Sequence, residues 1–386
     1  MKVAIDIRRM TDFGIGTYIR NVVKTLARLD HENTYYLIGL PRKVAECGTL
    51  PPNFHTVPLS DREDTLRGSV EFRAIVRRLQ CDVAHIPHLF WIPRGLHCPI
   101  VVTVHDLLEH MYGARQGSNL RRRMHLYFTQ RALRRADRVL AVSQFTKSEI
   151  EKVLGISNPR IEVVYNAIDE RFLHGHATDA DRQLIAERYQ VTYPFVLYAG
   201  AIRPHKNVVR TIEAFSSLKN ELQKEGQIPD LKLIIIGDDL SGHPEMRRTV
   251  VRSAVQNDVR FLGFVPIEVL RIFYDVAKLF VFPSLYEGFG LPPLEAMAHG
   301  TPVVASNTSS LPEVAGNAAL LVNPENVFEI QRAMKKALMD PVLRERMKQR
   351  GYEQAQRFSW TDSVSRILSI YREVAGAGVA GSVAAD

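Results

Sequence analysis

A chain of 386 residues is longer than one hydrophobic core usually supports, so two domains of about 150–200 residues each are expected. With 46% hydrophobic and 24% charged residues, the composition excludes a wholly disordered or fibrous chain, and a net charge of +8 suits nucleic acid, an anionic membrane or a phosphorylated substrate alike. Three cysteines, Cys47, Cys81 and Cys98, without CxxC spacing, exclude a disulfide framework and a cysteine-based zinc site and fit a reducing cytoplasm.

The opening MKVAIDIRR runs straight into a strand-like alternation, Val3–Ile7, so neither a signal peptide nor a membrane span is expected. After it, Asp12-Phe-Gly-Ile-Gly-Thr-Tyr18 reads as a glycine-bearing turn leading into a helix with apolar positions Ile19, Val22, Val23 and Leu26. Gly14 and Gly16 there let backbone amides approach a phosphate or an acceptor closely, although a plain tight turn uses glycine in the same way. Strands follow at Tyr35–Ile38, Val83–Ile86, Ile100–Val104, Arg138–Val142 and Ile161–Val164. His105 and Asp106, just after one of them, lack further ligands at metal spacing, and such a pair also serves simply to satisfy local backbone groups.

Between those strands, Arg115–Arg138 places Arg121, Arg122, Arg123, Arg131, Arg134 and Arg135 beside Leu120, Met124, Tyr127 and Phe128 at helical spacing. A basic amphipathic helix of this kind rests on anionic headgroups, or is a solvated face over a packed stripe. No basic-aromatic module accompanies it, so nucleic acid is not an expected partner.

A second series of strands is expected at Phe195–Tyr198, Lys232–Ile236, Val259–Phe261, Leu279–Phe282, Pro302–Ala305 and Ala319–Val322. Strand alternating with helix describes an α/β chain of two doubly wound, Rossmann-like halves. The polar segment between the two series lacks strand character. The boundaries expected are therefore an N-terminal domain over 1–170, a linker over 171–192, a C-terminal domain over 193–360, a helix over 361–375 crossing back to the N-terminal domain, and a disordered Gly/Ala tail over 376–386.

Two stretches of the second half carry chemistry. Arg203 and Lys206 follow a strand closely, where a guanidinium and an ammonium together form a clamp for a diphosphate, or stand solvated in a loop. Further on, Glu287 lies in a loop and Glu295 about one turn inside the next helix, with seven residues between them. Amides of Gly288, Phe289, Gly290 and Leu291, backed by that helix N-terminus, form a cradle for a departing anion. The carboxylates suit the hydroxyls of a sugar and a ribose, while Glu295 also fits a plain helix-start acid.

The run EGFGLPPLE, between FVFPSLY and AMAHGTPVVAS, resembles the Glu-seven-residues-Glu signature of retaining glycosyltransferases of family 4, which have the GT-B fold: two Rossmann-like domains facing across a cleft. FGIGTYIRNVV, VTVHDL, RADRVLAVSQFTKSEI, VVYNAID, YAGAIRPHKN, LIIIGDD and VRFLGFVP match in the family's order, so the resemblance spans about residues 1–375. It implies that Glu287 bonds the donor sugar, Glu295 the ribose, and Arg203 and Lys206 the diphosphate. It also implies that backbone groups around Phe264, Val265 and Leu270 read the base, that Gly200 lines the donor site, and that His105 lies beside the transferred sugar. Gly16 would bring an amide from the opposite wall, with Gly14 and Asn166 on the acceptor side.

The activity so implied is a metal-independent hexosyl transfer that retains configuration, with front-face attack by the acceptor and no cofactor beyond the nucleotide-sugar co-substrate. Together with the opening AIDIRRMTDFGIGTYIRNVV, the signature is most similar to bacterial mannosyltransferases, which favours GDP-mannose over UDP-sugars and a saccharide or lipid-linked saccharide acceptor for cell-surface polysaccharide. The implied place is the cytoplasm, peripheral to the inner face of the membrane. Competing readings are a UDP-sugar-dependent glucosyl or N-acetylglucosaminyl transferase, a nucleotide-sugar epimerase or hydrolase, and a non-catalytic basic binding protein.

Overall fold

The structure is a computed structural model that describes residues 1–59, 65–89, 92–108, 127, 129–156, 160–173 and 175–383. It divides into two compact units, Met1–Ala167 with Ser359–Asp386, and Ile168–Phe358.

The first unit alternates strand and helix: β1 (Lys2–Asp6), α1 (Phe13–Leu29), β2 (Thr34–Gly39), α2 (Pro41–Val44), β3 (Phe54–Pro58), α3 (Leu66–Leu79), β4 (Val83–Ile86), β5 (Ile100–Val104), β6 (Arg138–Ala141), α4 (Gln144–Leu154) and β7 (Ile161–Val163). The strands form one parallel sheet in the order β3-β2-β1-β4-β5-β6-β7. Every residue of β4 and β5 is buried, as strands covered on both faces require. The polar exception in β4, His85, is satisfied on both ring nitrogens, by the Thr103 hydroxyl at 2.8 Å and the Tyr371 hydroxyl at 2.6 Å.

This sheet has seven strands where six were expected. The additional one, β3, is an edge strand whose residues are exposed or half-buried and which ends on Pro58, so it shows no apolar run and reads as loop.

The second unit contains α5 (Asp179–Tyr189), β8 (Phe195–Ala199), α6 (Val208–Lys224), β9 (Lys232–Ile236), α7 (Pro244–Arg252), β10 (Val259–Gly263), α8 (Ile267–Val276), β11 (Leu279–Phe282), α9 (Leu291–Ala298), β12 (Val303–Ser306), α10 (Leu311–Ala315), β13 (Ala319–Val322), α11 (Val327–Met339) and α12 (Pro341–Gln356). Its sheet is parallel in the order β10-β9-β8-β11-β12-β13. The winding reverses between β8 and β11. At such a reversal the connections after the two strands run on to opposite faces of the sheet, and ligands bind just outside the strands' carboxyl ends there.

The expected linker is not a free connection, because α5 occupies most of it and belongs to the second unit. Thr178 and Asp181 close a reciprocal capping box, Asp181 lies 3.8 Å from Arg271 of α8, and the Tyr189 ring meets Phe273 edge-on at 5.4 Å. Only Ile185 of this helix is buried, which is why its sequence carries no amphipathic signal.

The last helix, α13 (Trp360–Val383), is part of the first unit. Ser363 Oγ donates to Tyr165 O at 2.7 Å, Arg366 Nε donates to Glu162 at 2.8 Å, and Trp360 stands edge-on to Tyr18 at 5.8 Å. The helix continues to Val383, past the 375 limit and into the segment expected to be disordered. No helix among the described residues is long and apolar enough to cross a membrane.

Candidate active site

In the second unit the loops after β8 and β11 are locked together. The Asn207 side chain, at φ 61°, donates to Pro283 O at 2.8 Å and Pro324 O at 2.7 Å. His205 O accepts from Leu285 N at 2.7 Å and Ser284 Oγ at 3.0 Å. These bonds fix the turn that carries Arg203 and Lys206 against the loop that carries Glu287.

Lys206 Nζ consequently donates to both oxygens of Glu287, each at 2.7 Å. Glu287 is 8% exposed, so the pair is largely shielded from water. Arg203 has a different partner, Asp238 just after β9, at 2.9 Å, and its side chain is 54% exposed. The two cations expected to share one clamp are therefore each held by a separate carboxylate in this structure. Asp238 also accepts from Ile202 N at 3.1 Å.

The loop from Glu287 to Gly290 is shaped by hydroxyls from the segment before α10. Ser310 Oγ lies 2.9 Å from Glu287 O and 2.6 Å from Phe289 O, and Glu287 N donates to Ser309 Oγ at 3.1 Å. Carbonyls drawn toward Ser310 turn the following amides, those of Gly288 and Gly290, the other way, because C=O and N–H of one peptide plane point oppositely. Gly290 has φ 106°, and a Cβ there would stand 2.6 Å from the Leu311 side chain, so this position admits only glycine. The Phe289 side chain is buried edge-on against Phe358 at 5.4 Å, leaving its backbone to serve the loop.

Glu295, on α9, receives the Tyr274 hydroxyl of α8 at 2.9 Å. Burial pushes its carboxyl up to about 7, against the Tyr274 hydrogen bond and with the Asp169 charge adding to the rise. Beyond β10, Phe264 is 75% exposed while Val265 is buried. The Leu270 amide is donated to Pro266 O at 2.8 Å, so that N–H is already used within α8. Gly200, at φ 150°, ends β8 where a Cβ on neighbouring Gly237 would stand 2.1 Å from Gly200 O, so these strand ends touch backbone to backbone.

In the first unit, Gly14 and Gly16 lie inside α1, not in a turn before it. The Gly16 amide is donated to Asp12 O at 2.8 Å, which corrects its expected role as a ligand amide. Glycine is needed there because a Cβ would meet Met10 O at 2.2 Å, whereas at Gly14 a Cβ meets nothing within 4 Å. The helix start leaves the amides of 13–15 outside its own ladder.

His105 Nε2 donates to Pro87 O at 3.1 Å, and its ring meets Tyr18 edge-on at 4.9 Å. Burial pushes this imidazole down to about 4, so it is neutral at physiological pH with Nδ1 as an acceptor. Asp106 accepts from Leu108 N at 2.9 Å. Asn166 is buried, and its Oδ1 has no hydrogen-bond partner among the described residues. Most of the basic segment Arg115–Arg138 lies outside the described residues.

Residues 181–354 match the family model for glycosyl transferases group 1, and residues 14–172 match the model for glycosyltransferase family 4. The chain belongs to this glycosyltransferase family. Among curated relatives, O-antigen chain mannosyltransferase B of Escherichia coli is 34% identical over 61% of this chain and 60% of its own length. The O-antigen chain mannosyltransferase RfbU of Salmonella typhimurium is 31% identical over 61% and 59%. The serotype-specific mannosyltransferase WbdA of E. coli is 34% identical over 62% of this chain but only 30% of its own length. The chain thus spans between 30% and 60% of the length of these relatives.

Among solved structures, sucrose-phosphate synthase from Thermosynechococcus elongatus superposes with TM-score 0.80 at 21% identity, covering 98% of this chain and all of that one (100%). Anabaena HepE, solved with UDP-glucose, gives TM-score 0.75 at 18% identity over 96% and 99%. These likenesses establish the fold, the pair of Rossmann-like domains of the GT-B glycosyltransferases.

Several features of this chain were not singled out in its sequence. Asp6 is gripped by Arg8 at 2.9 and 2.6 Å and by His88 at 3.3 Å; burial alone would raise its carboxyl, but these partners hold it well below the usual carboxylate range. His176 and His299 both donate through Nδ1 to Asp275 Oδ1, at 3.0 and 3.1 Å, while Ala177 N holds the other oxygen at 2.7 Å. That trio has the make-up of a metal ligand set, and sequence spacing misses it because its members come from three separate segments.

Proposed function

We propose that the chain is a retaining hexosyltransferase that moves mannose from GDP-mannose to a saccharide or lipid-linked saccharide acceptor in cell-surface polysaccharide synthesis. The observation that carries the reading is the Lys206–Glu287 pair, held where the sheet of the second unit reverses. The O-antigen mannosyltransferases among the relatives favour mannose and that pathway class.

In this reading the bond between sugar and diphosphate weakens, positive charge grows on the ring, and negative charge collects on the departing diphosphate. Lys206, Arg203 and the amides of Gly288, Gly290 and Leu291 meet that charge, without a metal ion. Glu287 orients the hexose hydroxyls and Glu295 accepts from the ribose. The acceptor hydroxyl attacks on the face the diphosphate leaves, and the diphosphate helps to take its proton. Acceptor recognition falls to the first unit, where the buried Asn166 oxygen wants a donor. For a lipid-linked acceptor, the basic segment Arg115–Arg138 suits anionic headgroups on the cytoplasmic face.

The test incubates the protein with GDP-mannose, UDP-glucose or UDP-N-acetylglucosamine, with and without a mannose-terminated acceptor, and follows nucleotide release and the anomeric proton of the product by NMR. Acceptor-dependent GDP release with an α-linked product is expected. Full-rate release without acceptor makes the protein a hydrolase, and transfer only from a UDP-sugar overturns the assignment of the donor.

A further inference from the structure

We propose that Tyr274 is the positioning residue for Glu295, holding that carboxylate in the one orientation that leaves its second oxygen open to the ribose of the donor. The inference rests on the reading above that Glu295 accepts from the ribose. Tyr274 donates its hydroxyl to Glu295 Oε2 at 2.9 Å, which leaves Oε1 for an incoming ligand.

Tyr274 is well suited to hold another group because nothing about it is loose. It is fully buried, with Phe172 and Phe280 against its ring at 5.9 and 5.4 Å and His299 stacked on it at 6.0 Å. His299 is itself tied to Asp275, and Tyr274 O accepts from Thr301 Oγ1, so the backbone is pinned as well. A phenylalanine fills this pocket equally well, and a buried hydroxyl is retained at a site only where a partner satisfies it. The partner here is Glu295.

The chemistry of a diol asks for such a holder. A ribose presents two hydroxyl donors, and a carboxylate binds both best when it is ionised and stands in one plane. Burial works against that ionised form at Glu295. A hydroxyl that donates to the carboxylate offsets part of that penalty and stops the group rotating away.

The experiment measures binding of GDP and 2′,3′-dideoxy-GDP, and of UDP and 2′,3′-dideoxy-UDP, by calorimetry to wild type, Tyr274→Phe, Glu295→Gln and the double variant. Donor KM and kcat are measured alongside, and unfolding temperature checks that each variant is folded. Tyr274→Phe is expected to weaken the cognate nucleotide about tenfold, the loss of one hydrogen bond to a charged group. The dideoxy nucleotide should bind unchanged, the donor KM should rise with little change in kcat, and the variant should add nothing on the Glu295→Gln background. Equal weakening of ribo and dideoxy forms, or additivity with Glu295→Gln, overturns the inference and leaves Tyr274 a core residue. Retained ribose preference in Glu295→Gln, or binding of neither nucleotide, instead removes the ribose role of Glu295 and the inference with it.

Discussion

Replacing Glu295 by glutamine should stabilise the protein at high pH and do little at low pH. The folded carboxyl sits at about 7 against an ordinary 4.5, chiefly because it is buried. Below pH ~4.5 the group is protonated in folded and unfolded chains alike, and the stability its neutral form gives is fully present. As pH rises the unfolded chain ionises first, and stability is lost until the folded carboxyl ionises near 7. The full shift corresponds to ~3 kcal/mol. Partial exposure of the residue lowers our expectation to about 2 kcal/mol. Glutamine keeps an oxygen for the Tyr274 hydroxyl and has no charge to bury, so it escapes the penalty. In a unit of this size the gain is roughly 4–8 °C in unfolding temperature at pH 8, shrinking toward zero at pH 4.5. Thermal unfolding of both proteins from pH 4.5 to 8, at fixed salt and without nucleotide, measures it. Curves that run parallel across that range would falsify the burial argument.

Three further outcomes are expected. Gly16→Ala should cost at least about 2 kcal/mol in denaturant unfolding, because its Cβ would stand 2.2 Å from Met10 O, whereas Gly14→Ala, with nothing within 4 Å, should be neutral or slightly stabilising. Lys206→Ala should remove most transfer and also destabilise the second unit by about 2 kcal/mol, since Glu287 is left shielded without its cation; adding Glu287→Gln should recover stability but not turnover, as calorimetry and nucleotide-release assays would show. The imidazole of His105, pushed down to about 4, should contribute no step to the turnover profile between pH 5.5 and 8; a limb near 6 that disappears in His105→Gln would contradict its neutral state.

The doubly wound architecture was legible because parallel strands buried on both faces must be nearly continuous apolar runs, as in FVLYA of β8 and LFVF of β11. The edge strand β3 and the helix α5 escaped for the complementary reason, each burying too few side chains to imprint a period. Within the site, charge and spacing picked out Arg203, Lys206, Glu287 and Glu295, but not how they pair. Pairing is set by Asn207, which joins the loops after β8 and β11 across 76 residues, and no local pattern encodes that distance. Likewise Gly16 looked like a ligand-contacting glycine, yet its constraint is the backbone of Met10, a contact that exists only once the chain has turned.

The unequal shielding of the two ion pairs bears on how a diphosphate would be received. Arg203–Asp238 is half open to water, where such a pair is worth at most about 1 kcal/mol, so the guanidinium is cheaply released to grip phosphate oxygens. Lys206–Glu287 is desolvated, and separating it would strand a shielded carboxylate. An ammonium has three N–H donors, and two of them reach Glu287. The third can turn to a phosphate without breaking the pair. Lysine suits this position because its charge is shared between a fixed carboxylate and an arriving phosphate, and arginine suits the other because its planar fork can leave Asp238 and meet two oxygens at once.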